Sequence, residues 1–82
     1  MKQINVLFFA SLRDLTSERM IELSISDSMK IAGLKETLIK RYPQIAPMMD
    51  TLIISMNHEF AFDEMEIMDH AEIALFPPVS GG

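Results

Sequence analysis

The residues best suited to chemistry stand at the end of the chain: Gly81 and Gly82, reached through Phe76, Pro77, Pro78, Val79 and Ser80. A carboxylate on Gly82 is flanked only by hydrogens, so it is open to attack on the α-phosphate of ATP. The acyl adenylate formed that way is a mixed anhydride with a good leaving group. Paired glycines also let a backbone enter a tunnel too tight for a Cβ. Pro77 and Pro78 remove two backbone donors and fix φ, so a strand running up to Phe76 stops there. Paired prolines stiffen the exit and aim it away from the body. The six residues 77–82, at 3.3 Å each, reach about 20 Å when extended. A frayed terminus is also common at such a place, and on residue types alone both readings stay open.

Other reactive groups are few. The chain has no cysteine, which excludes a thiol nucleophile, a CxxC metal or redox motif and a disulfide framework; a reducing, cytoplasmic setting is expected. His58 and His70 fall in different turns without a third ligand at helix or hairpin spacing, so no metal site is expected. Asp63, Glu64, Glu66, Asp69 and Glu72 do not match a calcium-binding loop and read as a solvated acidic segment. Arg13 reads as a surface residue. Twelve acidic residues against seven basic ones give a net charge of −5. That field repels phosphate backbones and argues against nucleic acid, while favouring a basic protein partner. The apolar run over 4–10 is broken by Asn5, is too short to span a bilayer and lacks a cleavage pattern, so neither membrane insertion nor export is expected. Eight methionines fit a soft core or interface better than a metal site.

The elements that must carry this tail are legible as periods. Eighty-two residues, 49% of them apolar, predict one domain. Ile4, Val6, Phe8 and Ala10 alternate with Asn5, Leu7 and Phe9, a strand apolar on both faces and so central in a sheet. Residues 11–19 read as a polar turn. Ile21, Leu23 and Ile25 mark a half-buried second strand, pairing with the first as a hairpin. Ser26, Asp27 and Ser28 signal a helix start. Ile31, Leu34, Leu38 and Ile39 follow at helical spacing, and Pro43 ends the helix near Tyr42. Gly33, costly inside a helix by roughly 1 kcal/mol, points to close packing on the sheet. Residues 43–51 read as a connection, with Ile45 and Met48 plugging the core edge. Strands are expected over 52–56, 60–62 and 72–76, with a turn at Asn57-His58 or His58-Glu59. The order β-β-α-β-β-β predicts an α+β fold: a mixed sheet with one main helix packed on one face. If the first and last strands pair at the centre, this is a β-grasp, the ubiquitin-like fold. The pattern by itself does not fix that strand order. The expected organisation is a domain over 1–76 and an extended tail over 77–82.

The ending Phe76-Pro77-Pro78-Val79-Ser80-Gly81-Gly82 resembles that of the MoaD family, the small subunits of molybdopterin synthase. Val6-Leu7-Phe8-Phe9-Ala10 with Arg13-Asp14-Leu15 is similar to that family's first strand and loop. Met56-Asn57-His58-Glu59-Phe60 resembles its Val-Asn-x-x-Leu/Phe hairpin. The resemblance covers the whole chain and implies the β-grasp fold. It also implies that Gly82, preceded by Gly81, is adenylated with ATP by an E1-like enzyme and converted to a thiocarboxylate. That sulfur would go to cyclic pyranopterin monophosphate inside the large synthase subunit, forming the dithiolene of molybdopterin. The assembly implied is a heterotetramer. No cofactor would be held permanently, because the ATP is used by the activating partner. Phe60 and Phe76 would form an apolar contact surface, with Phe9, Arg13, Pro77, Pro78, Val79 and Ser80 also facing a partner. Having no cysteine, the chain cannot carry sulfur as a persulfide, and the acid–base groups for the pterin steps are expected on the large subunit. Alternatives are a sulfur carrier for thiamine or tRNA thiolation, and a ubiquitin-like modifier. One departure is visible: Asp69-His70-Ala71-Glu72 stands where the family usually has Asp-Gly-Asp-Glu, so His70 is expected to occupy a turn position with positive φ.

Overall fold

Alternation along the strands decides what faces what. In the computed structural model, which describes residues 1–78, β1 (Lys2–Phe8) buries Ile4, Val6 and Phe8 on one face. It pairs antiparallel with β2 (Met20–Ile25), setting Val6 opposite Ile21 and Ile4 opposite Leu23. On its other side it pairs parallel with β5 (Glu72–Phe76), setting Val6 against Ile73 and Phe8 against Leu75. β3 (Ile53–Met56) lies antiparallel to β5, with Ile54 opposite Leu75 and Met56 opposite Ile73. The short β4 (Glu59–Phe60) closes that edge. The strand order is β2-β1-β5-β3-β4. First and last strands therefore pair in parallel at the centre, the two hairpins flank them, and the topology is a β-grasp.

One register puts the buried residues of every strand on the same face, because side chains of paired residues share a side. Onto that face packs α2 (Ile31–Arg41) through Ile31, Leu34 and Leu38. Tyr42 closes the stripe with its ring edge-on to Phe8, centroids 5.5 Å apart. A 3-10 helix (Pro43–Thr51) then returns the chain to β3, inserting Ile45 and Met49 into the core. Met49 is buried there, whereas Met48, expected at this place, stays half-buried.

Several local expectations are corrected. The first strand ends at Phe8, not Ala10, because Ala10 takes φ 54° and ψ −131° and opens a tight turn in which Leu12 N–H donates to the Phe9 carbonyl (3.1 Å). Residues 11–19 are not simply a turn: α1 (Ser11–Thr16) forms, burying Leu12 and Thr16 and stopping at Ser17 in the left-handed region. The second helix does not start at Ser26-Asp27-Ser28. It starts at Ile31 after Lys30, with no side-chain cap. Its first donors are met from the opposite segment instead: Ile31 N–H donates to Met65 O (3.0 Å) and Ala32 N–H to Asp63 O (3.1 Å), which removes the need for a hydroxyl cap. Gly33 does not meet the sheet; a Cβ there would lie 3.2 Å from Met29 Cγ. The returning strand is Glu59–Phe60 rather than 60–62. The turn before it uses Asn57 and His58, both at positive φ, 52° and 73°, the pairing that two-residue hairpins favour. His70 has φ 60°, the positive-φ turn conformation expected of it.

Candidate functional site

The face of the sheet away from α2 gathers residues from four segments. Leu7 and Ala74 are cross-strand partners, as are Ala74 and Ser55, and Ser55 and Phe60. Ile53 and Phe76 pair one step along. A shallow groove of about 770 Å³ runs over this face, lined by Phe9, Phe60, Phe76 and Ala74 with Ser55, His58, Glu59 and Glu72 on its polar side. Phe9 lies just beyond β1, held by its N–H to the Leu75 carbonyl (3.1 Å), and its ring meets Phe76 edge-on with centroids 6.0 Å apart. Arg13 comes up from α1: its guanidinium carbon is 5.5 Å from the Phe9 centroid, and its Nε–H donates to the Phe8 carbonyl (3.0 Å). That contact both cements the α1 turn and places a cation at the aromatic end of the groove. Phe60 is 69% exposed, a large apolar side chain with almost nothing of its own chain to cover it.

Phe9, Phe60, Phe76 and Arg13 are thus brought to one surface. Pro77 follows half-buried and Pro78 exposed, directly after the Phe76 that forms one wall. Val79, Ser80, Gly81 and Gly82 lie outside the described residues. His58, Glu59, Glu72, Ser55 and Ala74 were not expected at this surface. They are far apart in sequence and meet only once β5 is known to lie between β1 and β3; the one early signal was the Met56-to-Phe60 hairpin. His58 Nε2 is 3.5 Å from Glu72 Oε2. The hairpin is pinned beside them by Asn57, whose Oδ1 accepts Glu72 N–H (2.9 Å) and whose N–H donates to Glu72 O (2.9 Å).

Asp63, Glu64, Glu66 and Asp69 are exposed, as expected of a solvated segment, and Asp69 also ties the loop to β1. Asp69 Oδ1 accepts the N–H groups of Gln3 and His70, each at 3.0 Å. The Gln3 N–H contact first, with lesser help from His70 and Lys2 against some desolvation, holds the Asp69 carboxyl below its ordinary value. Among the described residues no three His, Cys, Asp or Glu side chains converge as metal ligands, and no helix is long and apolar enough to cross a membrane. The groove has an apolar, aromatic floor and a charged rim.

The fold and this face define a ubiquitin-like β-grasp protein with an aromatic groove beside the end of its last strand. The profile of the ThiS family matches residues 6–82, and the chain belongs to that family. It is 30% identical over 84 residues to the molybdopterin synthase sulfur carrier subunit of Dictyostelium discoideum, covering 98% of this chain and 96% of that one. Among solved structures it is similar to small archaeal modifier protein 1 of Haloferax volcanii, with a TM-score of 0.87 at 20% identity, covering 96% of this chain and 100% of that one. It is also similar to a chain in the complex of subunits 1 and 2 of the molybdopterin-converting factor from Helicobacter pylori, with a TM-score of 0.69 at 18% identity, covering 98% and 99%.

Proposed function

We propose that this chain is the sulfur carrier subunit of a molybdopterin synthase, working in the cytoplasm. The observation that carries this reading is the full-length match to relatives of that name, on a chain whose sequence runs from the aromatic groove wall at Phe76 straight into Pro77-Pro78-Val79-Ser80-Gly81-Gly82. In this reading the body, residues 1–76, docks and the tail, 77–82, delivers. A carboxylate oxygen of Gly82 attacks the α-phosphorus of ATP on an E1-like enzyme and pyrophosphate leaves. Sulfur delivered at the hydrosulfide level then attacks the acyl carbon, the acyl–phosphate bond breaks as AMP leaves, and loss of the sulfur's proton leaves a thiocarboxylate on Gly82. The loaded end enters the large subunit and gives its sulfur to cyclic pyranopterin monophosphate, with acid–base groups supplied by that subunit and the two kinds of chain assembled as a heterotetramer.

The groove fits the docking half of the reading. Phe9, Phe60 and Phe76 form a cluster that a partner's apolar side chains would cover, and Arg13 and the Glu59–Glu72 rim would fix its orientation. The association of a subunit 1 with a subunit 2 in the Helicobacter pylori complex supports a large-subunit partner. Deleting Gly82, or adding one residue after it, is expected to abolish molybdopterin synthesis in an assay reconstituted with the large subunit and the activating enzyme, while the circular dichroism spectrum stays that of the parent. Full activity in either variant would make the proposal wrong.

A further inference from the structure

The sheet has two edges, and they are treated differently. On one, β4 is two residues long, and the chain beyond it carries Asp63 in a 2.6 Å ion pair with Lys35. A short, charged edge resists pairing with another strand. On the other edge, β2 runs for six residues without proline or lysine, and nothing among the described residues is bonded to its outer side. Phe8 N–H donates to Arg19 O (2.9 Å). Because bonding alternates along an antiparallel ladder, Arg19, Ile21, Leu23 and Ile25 turn their backbone groups towards β1. Met20, Glu22 and Ser24 turn theirs outward.

We infer that β2 is a self-recognition edge: two copies of this chain pair antiparallel along β2 about a dyad at Leu23, making one continuous sheet. The register follows from charge and burial. A dyad at Glu22 would set two carboxylates opposite each other, which is unfavourable. A dyad at Leu23 sets Glu22 opposite Ser24 of the second copy, twice, and these are the residues whose N–H and C=O groups point outward. It also sets Met20 opposite Ser26 and Ile21 opposite Ile25. Leu23, half-buried at the core's rim, meets its own copy in a non-hydrogen-bonded pair, where side chains come closest. Just beyond the strand, Arg19 falls opposite Asp27 on both sides of the dyad, so the flanking charges are complementary. Arg19 has no ion-pair partner among the described residues, and Asp27 has only an exposed one, the N-terminus at 3.2 Å. A dyad perpendicular to the sheet leaves both α2 helices on one face and both Phe9–Phe60–Phe76 surfaces open on the other. Self-pairing is therefore compatible with the docking role above and does not depend on it.

Analytical ultracentrifugation of the free chain tests this. The weight-average mass is expected to rise from 9.3 kDa towards twice that as concentration goes from about 10 µM to about 1 mM. Arg19→Asp, which places like charges across both ends of the pairing, should weaken association at least about 10-fold. The double variant Arg19→Asp, Asp27→Arg should restore it to within about 3-fold of the parent. Lys40→Glu, an equal change of charge on the exposed side of α2, should leave association unaltered, and circular dichroism should show all variants folded. A mass independent of concentration overturns the inference. So does an Arg19→Asp variant that associates normally, a double variant as weak as the single one, or a Lys40→Glu variant weakened as much as Arg19→Asp.

Discussion

Phe60 pairs with Ser55 across the β3–β4 hairpin and leaves most of its ring in water. A side chain with so little contact to its own chain contributes little to folding, so Phe60→Ala should change the unfolding free energy by no more than about 0.5 kcal/mol. Its effect on binding should be larger: titration calorimetry against the large subunit should show affinity reduced by about 10-fold or more, as for an aromatic anchor. Unchanged affinity would remove Phe60 from the docking surface. Asp69 makes a different kind of prediction. Its folded carboxyl is held below its ordinary value of 3.8, mainly by the Gln3 N–H. A depressed folded value gives stability that is present above the unfolded value and lost as pH falls through the folded one. The parent should therefore resist urea better than Asp69→Asn at neutral pH, and the difference should shrink as pH drops below 3.8. A difference that stays constant down to about pH 2 would contradict that origin. At this scale the aromatic members of the site were legible through their resemblance to related sequences. The rim of His58, Glu59 and Glu72 was not, since it exists only where hairpin and last strand meet.

The strands were legible because alternation survives wherever one face is buried: Ile21 and Ile25 stay inside while Glu22 and Ser24 stay out. The helices were less so. α1 is six residues long, too short for a repeated apolar stripe, and its stop comes from Ser17 in the left-handed region rather than from a glycine. The start of α2 has no local sequence mark, because its first N–H groups are satisfied by carbonyls of Asp63 and Met65. Strand order was the other illegible feature, since periodicity says which face is buried and not which strand is next. The turn linking β1 to α1 is strained at one residue. Ala10 sits at φ 54°, ψ −131°, a conformation glycine adopts without the Cβ penalty. Ala10→Gly should raise stability by roughly 0.5–1 kcal/mol, the relief of strain exceeding the extra freedom gained by the unfolded chain. The urea midpoint measures it, and a lower midpoint would show that the turn is unstrained.

Across the whole molecule, one arrangement links fold to role. Parallel pairing of β1 with β5 at the centre of the sheet sets Phe9 beside Phe76, so the strand that leads to the chain's end also forms the wall of the recognition groove. A partner that covers this groove is thereby placed next to Pro77 and Pro78. In the proposed reading Gly82 carries the sulfur as a thiocarboxylate. Intact-mass spectrometry after incubation with ATP, the E1-like enzyme and a sulfur source tests it most directly. A gain of about 16 Da is expected, one oxygen exchanged for sulfur, and it should be lost in the Gly82 deletion. An unchanged mass, or a product joined through an isopeptide bond to another protein, would contradict it.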